Sequence, residues 1–526
     1  MNLLFISLLF CTLCMSEAAK ILFYSPRFGR SHLMFVGKLA DALAEANNDV
    51  TIYQQIINDQ FTNMTGSKSK KTKIITRQRD FPAPEFGMET TWNEDSGGLL
   101  KSIGLLDKLG QMFKTSCEHQ LRDNKTLELL KNEQFDIAIS EFFDMCAFGI
   151  FHRIGIKKTI VLYASAMPLD DATFIGLPSL SSFVPDFVIQ NGLSGGFWNR
   201  FGNTMSFLVG RYFMMPKFTG QTAEAFKIFD ENLDYRKLIA EASLYFVNTD
   251  ELVDFPRPIS HKIINIGGVG MSKAMANIGN LDANYKKILD EAKDGVVYMS
   301  FGSVATSHSM PDKFKKAFLD AFKEFPNVNF IWKYEKPEHK IADGLPNVYD
   351  FEWTPQNQIL AHPSMKVFIT HGGANSLSES SYAGVPMIGI PLFGDQNRNT
   401  INIEERGLGL RLTKDKINKE AIVDALRQLI YDDKFKKNAI KLSKMIRAKP
   451  LTPDERLIKY TEFVAQHDVG DQLSLPGRQL NFFQYYSLDV FVFLVANVLL
   501  VLSVVFFALR FAVRRIGKLV SKAKTE

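Results

Sequence analysis

The stretch from Trp353 to Gln396, WTPQNQILAHPSMKVFITHGGANSLSESSYAGVPMIGIPLFGDQ, constrains this chain more than any other. It reads as a βαβ unit. Lys366 to Thr370 is a short apolar run with β-branching that ends in a polar residue, the pattern of a buried strand. His371-Gly372-Gly373 is the tight turn that follows. A helix is expected from Ala374 to Ala383, stopped by Gly384, and Val385 to Ile390 is the next buried strand. Pro391-Leu392-Phe393-Gly394 then leads to the acid-amide pair Asp395-Gln396. Two strand ends thus deliver polar groups to one crevice.

The geometry of that turn dictates its chemistry. Two glycines let backbone approach a phosphate closely, and the helix N-terminus offers free N–H groups and the positive end of a dipole. A diphosphate fits there without a metal. His371 can add a hydrogen bond, Asn375 and Ser376 lie in the first turn, and Glu379 follows Ser376 by three residues on the same face. A carboxylate at Glu379 could accept both hydroxyls of a ribose. Asp395 and Gln396 have the acceptors and donors to grip sugar hydroxyls, and Trp353 offers a flat surface for a uracil.

From Trp353 and Gln356 through His371-Gly372-Gly373 and Asn375 to Asp395-Gln396, this run resembles the signature of the UDP-glycosyltransferase family, which includes the vertebrate glucuronosyltransferases. Nothing inside the run departs from it, and a looser likeness extends over nearly the full chain. The resemblance implies that Trp353 and Gln356 face uracil, that His371, Asn375 and Ser376 face the diphosphate, and that Glu379 faces the ribose. Asp395 and Gln396 would hold the transferred sugar, and Ser303, in the turn Phe301-Gly302-Ser303, would touch the diphosphate.

Near the start, Lys20 to Pro26 reads as a strand, Arg27 to Ser31 as a loop, His32 to Ala46 as a helix and Val50 to Tyr53 as the next strand. His32 therefore sits at the carboxyl edge of a sheet, where doubly wound folds place ligands. From position alone it is either a functional group or a helix cap. Gly29-Arg30-Ser31-His32 resembles the segment in which the family carries the histidine that deprotonates the acceptor. With an ordinary pKa of about 6.5, such an imidazole is mostly unprotonated at neutral pH. It needs an acid to hold its tautomer, an aspartate after a strand in the family. Here the strand Phe135 to Ser140 is followed by Glu141-Phe142-Phe143-Asp144. Glu141 falls at the matching position, longer by one methylene, and Asp144 is the alternative.

At 526 residues and 46% apolar content the chain has ample core for two or more domains. Its net charge of +5 owes much to the last seventeen residues, where Arg510, Arg514, Arg515, Lys518, Lys522 and Lys524 face only Glu526. That distribution describes a tail and gives no nucleic-acid signal. Residues 1–18 have an apolar centre and a Ser16-Glu17-Ala18 exit, as in a cleaved secretory leader, so Cys11 and Cys14 depart with it. Cys117 and Cys146 remain, too few for a disulfide framework or a zinc site, and their pairing is open. Asn63 and Asn124 head glycosylation sequons. Val490 to Leu509 is twenty uncharged residues, enough to cross a bilayer, with Tyr485 and Tyr486 before it and the arginines after it. Lys522 and Lys524 in the closing KAKTE resemble a KxKxx retrieval signal of the endoplasmic reticulum.

The expectation is an α/β chain whose two Rossmann-like domains face each other across a cleft, the GT-B arrangement implied by the resemblance. After the leader, residues 19–275 form the acceptor domain and 276–448 the UDP-sugar domain. Residues 449–489 return to the first domain, 490–509 span the membrane and 510–526 are a cytosolic tail. The protein would be single-pass in the endoplasmic-reticulum membrane, with its catalytic domains lumenal. The segment from Leu169 to Phe218 is rich in Phe, Met, Gly and Ser, and either lines an apolar pocket, covers the domain or meets the membrane. Asp254 to Val269 reads as an extended linker, and Lys414 to Tyr431 as one helix.

The expected chemistry is inverting transfer of a hexose from a UDP-sugar co-substrate to a hydroxyl of a small lipophilic acceptor. No cofactor is expected and, with no Asp-x-Asp pair, no metal. Glucuronosyltransferases are thought to read the sugar carboxylate with an arginine near Val247-Asn248-Thr249, where this chain has none, which points to glucose over glucuronate. A transferase for an endogenous lipid or steroid, and a lipophile-binding membrane protein without catalysis, are the alternatives. Homo- or hetero-oligomers fit equally.

Overall fold

The computed structural model describes residues 18–83, 92, 99–186 and 196–525. The leader, apart from Ala18, lies outside the described residues, as do Glu526 and the side chain of Lys522 in the closing signal.

Among the described residues, thirteen strands form two sheets. The first contains β1 (Lys20–Tyr24), β2 (Asp49–Gln55), β3 (Lys73–Arg77), β4 (Ile137–Glu141), β5 (Thr159–Tyr163), β6 (Leu244–Val247) and β7 (Ile263–Asn265), in the order β3-β2-β1-β4-β5-β6-β7. The second contains β8 (Val296–Ser300), β9 (Asn329–Lys333), β10 (Val348–Phe351), β11 (Met365–Thr370), β12 (Met387–Gly389) and β13 (Gly409–Arg411), in the order β10-β9-β8-β11-β12-β13. Every pairing is parallel. Helices cover both faces, so central strands such as Thr159-Ile160-Val161-Leu162-Tyr163 are buried along their length and read as continuous apolar runs. Each sheet changes winding direction beside its first strand, between β1 and β4 and between β8 and β11. Those carboxyl ends are the topological switch points where such sheets take ligands.

The helices that position the site follow from spacing and caps. Helix α1 (Arg30–Glu45) buries Phe35, Val36, Leu39, Ala40 and Leu43 against Ile21, Phe23 and Ile139. Each large side chain so buried contributes about 1.5–3 kcal/mol. Helices α2 (Leu99–Arg122) and α3 (Cys146–Ile154) are joined by a disulfide between Cys117 and Cys146, with Cα atoms 5.3 Å apart. Next come α4 (Phe197–Val209), α5 (Ala374–Ala383), capped by Gly384 at φ 71°, and α6 (Gln396–Glu405). Helix α7 (Pro453–Gln466) starts at a Thr452–Glu455 capping box. Its Leu457 and Val464 are buried in the core of the first lobe, so the chain does cross back.

Two expectations are corrected. The linker from Asp254 to Val269 contains β7, because Ile263 and Ile264 pair with Tyr245 and Phe246 at the sheet edge. The helix expected from Lys414 begins at Lys419, where the Asn418 side chain caps Ala421 N, and Asp432 then caps a further helix, Asp433–Arg447. The described part of the Leu169–Phe218 stretch is mixed: Leu169, Asp170, Asp171 and Ala172 are buried, and Asn203 of α4 donates to the carbonyls of Ser181 and Val184, while Phe197, Trp198 and Phe201 are exposed, Trp198 by 74%.

The last helix, α8 (Leu488–Ala523), has 36 residues. At about 1.5 Å per residue it exceeds the ~20 residues a bilayer requires, and an 18-residue stretch within it has a mean hydropathy of 3.0. Just before it, Tyr485 Oη donates to Gly176 O at 2.9 Å, tying the foot of this helix to the first lobe. Asn63 and Asn124 are both exposed.

Candidate active site

His32 lies in the first turn of α1, beyond the end of β1, and Glu141 is the last residue of the adjacent β4. Parallel pairing of these strands at the switch point brings the two side chains together. Nδ1 of His32 stands 2.7 Å from Oε1 and 2.8 Å from Oε2 of Glu141. Nδ1 therefore carries the hydrogen, and Nε2 is left with its lone pair. Burial opposes protonation of the ring, but the Glu141 carboxylate, with Asp395 of the facing lobe adding to it, prevails and lifts the pKa above its ordinary value. The imidazole is thus a stronger base than composition implies.

Asp144, the alternative partner, is turned elsewhere. Its carboxylate accepts from Tyr24 Oη at 2.8 Å and from the Cys146 amide at 3.0 Å, and burial pushes its pKa up to about 7. It ties the start of α3 to Tyr24 of β1. The additional methylene of Glu141 is what spans from the strand end to the imidazole.

Phe28 and Phe143 flank the His32 ring with centroids 4.9 and 4.8 Å away, and they stack on one another at 5.1 Å. Behind them Phe81, Leu109, Phe113 and Phe218 complete an apolar cluster with Ile57. A base beside such a wall suits the hydroxyl of an apolar molecule.

In the second lobe, His371 leaves the end of β11 between two glycines. A Cβ on Gly302 would lie 2.8 Å from its Cε1, and a Cβ on Gly373 2.7 Å from its Nε2. Only glycine at both positions admits the ring. Burial and the neighbouring Lys333 hold the His371 pKa down at about 4, so the imidazole is neutral and can donate a hydrogen bond without carrying charge. Ser303 follows Gly302 in the turn after β8, and Ser376 is buried in the first turn of α5. Gly372, at φ 79°, presents its carbonyl to Asn399 Nδ2 at 2.9 Å.

Glu379 is gathered from both lobes. Its Oε2 accepts from Gln356 Nε2 at 2.8 Å, and its Oε1 from Lys38 Nζ of α1 at 3.2 Å. Asn375 Oδ1 accepts from Asn248 Nδ2, beyond the end of β6, at 2.7 Å. Asp395 Oδ2 accepts from Asn399 at 2.8 Å, and burial raises its pKa. Gln396 is 2% exposed and its Oε1 takes the amides of Leu392 and Phe393 at 2.8 and 3.0 Å. Only its NH2 group is left for a ligand. Trp353 is 46% exposed, and the Arg30 guanidinium carbon lies 3.9 Å from its ring centroid.

Of the sequence-predicted residues, the structure joins His32 to Glu141 and Gln356 to Glu379, and brings the Asp395 charge to bear on His32 from the facing lobe, whereas Asp144 is turned away. Sequence reasoning missed Arg30, Lys38, Asn248 and Lys333. Arg30 and Lys38 flank His32 on α1, and the i, i+8 spacing of two cations was their only signal. Asn248 and Lys333 follow from which strand ends face the cleft, a property of the assembled sheets.

A family model described as UDP-glucoronosyl and UDP-glucosyl transferase matches residues 20–523. The chain is 31% identical to human UDP-glucuronosyltransferase 3A2 over 507 residues, covering 94% of this chain and 93% of that protein. It is 32% identical to bovine UDP-glucuronosyltransferase 3A1, covering 92% and 91%. Among solved structures, a UDP-glucosyltransferase from Polygonum tinctorium capable of glucosylating indoxyl aligns with a TM-score of 0.57 at 17% identity, covering 86% of this chain and all of that one.

Proposed function

The chain belongs to the UDP-glycosyltransferase family, and from that premise we propose that it transfers glucose from UDP-glucose, with inversion, to the hydroxyl of a small lipophilic acceptor. The observation that carries this reading is the bond of the Glu141 carboxylate to His32 Nδ1, opposite a cleft lined by His371, Asn375, Glu379 and Asp395.

Each step falls to a named group. The acceptor packs against Phe28 and Phe143 and gives its hydroxyl proton to His32 Nε2, while Glu141 stabilises the imidazolium. The acceptor oxygen bonds to the anomeric carbon from the face opposite the diphosphate, and the bond from that carbon to the diphosphate oxygen breaks. UDP departs with the electron pair. The N-terminal end of α5 and neutral His371 stabilise the developing charge through dipoles already in place. Trp353 and Gln356 take the uracil, Glu379 the ribose, Ser303 and Ser376 the diphosphate, and Asp395 and Gln396 the sugar hydroxyls.

Glucose is favoured by the neutral amide of Asn248, which occupies the approach to Asn375 and is also bonded to Ala164 O at 2.9 Å. Arg398, the cation nearest in sequence to Asp395, is committed to Asp254 at 2.6 Å. A lipophilic acceptor is supported by the aromatic wall and by the exposed stripe of α4. That stripe is pinned to a loop only a few residues past Gly176, where Tyr485 ties in the foot of α8. The first lobe then rests against the bilayer from which an apolar acceptor partitions. The tyrosines before α8 and the arginines within its far end support lumenal lobes and a cytosolic tail.

The test is transfer by detergent-solubilised protein, offering UDP-glucose and UDP-glucuronate separately with a panel of phenols and steroids. Faster turnover of UDP-glucose is expected. Equal or better turnover of UDP-glucuronate overturns the sugar assignment, and UDP binding without transfer to any acceptor overturns the enzyme mechanism in favour of a binding role.

A further inference from the structure

Arg30 opens α1 two residues before His32, yet its side chain reaches across the cleft to the other lobe. Its guanidinium carbon lies 3.9 Å from the centroid of Trp353, a direct cation–π contact. Lys333 Nζ is also near that ring, at 5.3 Å, but it is committed: it donates to Gly302 O at 2.6 Å and to Glu335 at 2.9 Å. Arg30 is held less firmly. Its Nε is buried and has no hydrogen-bond partner among the described residues. Burial lowers its pKa, opposed by Glu352 and Glu335, and the group remains a cation at physiological pH.

Two demands meet at this residue. A uracil that stacks on Trp353 must share or take the aromatic surface the guanidinium covers. A diphosphate beside it needs compensating charge, while His371 supplies none and the end of α5 offers about half a unit. The planar, five-donor guanidinium is the group best matched to phosphate oxygens.

We propose that Arg30 is a donor-binding residue that exchanges partners, stacking on Trp353 until a uracil takes the indole and then pairing with the diphosphate. The inference rests on the donor reading above and adds a residue to it from the acceptor lobe.

The experiment compares UDP with uridine on the full-length protein in detergent, by calorimetry, for wild type, Arg30→Gln and Arg30→Lys. Losing a charge-assisted bond to phosphate should reduce the preference for UDP over uridine about tenfold or more in Arg30→Gln, with partial recovery in Arg30→Lys. An unchanged preference in Arg30→Gln overturns the proposal while leaving the donor reading intact. Wild-type protein that binds neither ligand refutes the donor reading itself. If Arg30→Gln does not fold, wild-type protein is treated with phenylglyoxal and Arg30 modification is read by peptide mass spectrometry. Uridine should free Arg30 and accelerate modification, whereas UDP should suppress it; equal modification with both overturns the exchange.

Discussion

Glu141 offers both carboxylate oxygens to one ring nitrogen of His32, at 2.7 and 2.8 Å, across a gap between adjacent strand ends. This pairing sets the tautomer and lifts the imidazole pKa, the outcome of burial opposing and carboxylates favouring the charged form. Transfer requires the unprotonated ring, so its rate should rise with pH through a midpoint above 6.5. In Glu141→Gln the carboxylate is gone while burial remains, so the midpoint should move down and the maximal rate fall by about 100-fold. A pH–rate profile of both proteins checks this; an unmoved midpoint would detach Glu141 from the base.

Gly373 admits the His371 ring because a Cβ there would lie 2.7 Å from Nε2. Gly373→Ala should push the ring away from the diphosphate path and weaken UDP binding about tenfold, a loss comparable to one good hydrogen bond to an anion. Calorimetric titration with UDP measures it.

Asp144 has a folded pKa of about 7 against an ordinary value of 3.8. Its folded form holds the proton more tightly than the unfolded chain, so the protein loses stability as pH rises from about 4 to about 7, and the loss is complete above that window. Asp144→Asn keeps an acceptor for Tyr24 and Cys146 without the charge. The variant should therefore gain thermal stability over wild type at pH 8 and little at pH 4, read as the difference in melting temperature between the two proteins at each pH.

Asn248 bonds Asn375 at 2.7 Å, and the proposed preference for glucose rests in part on its neutral amide. Asn248→Arg should raise the ratio of UDP-glucuronate to UDP-glucose turnover about tenfold. Initial rates with each donor at fixed acceptor report the ratio.

The donor half was legible because its groups lie within one βαβ unit: the glycine turn, the helix that follows and the Asp395-Gln396 loop are local in sequence. His32 was legible from its position at a strand end, and Glu141 from its place after the next strand in the switch. What could not be read were contacts made by assembling the lobes. Lys38 meets Glu379 from 341 residues away, and Arg30 meets Trp353 through a long flexible side chain on an otherwise ordinary helix. β7 was missed because its three residues are too short for a period and derive their order from the neighbouring edge. The pairing of Cys117 with Cys146 likewise depends on how α2 packs beside α3.

The most direct test is glycosyl transfer from UDP-glucose to a phenol by wild type and His32→Ala, with UDP affinity measured on the same preparations. The account predicts that the variant loses transfer and binds UDP as wild type does. Retained transfer, or UDP affinity lost together with transfer, would contradict a base on the acceptor lobe acting across from a separately built donor site.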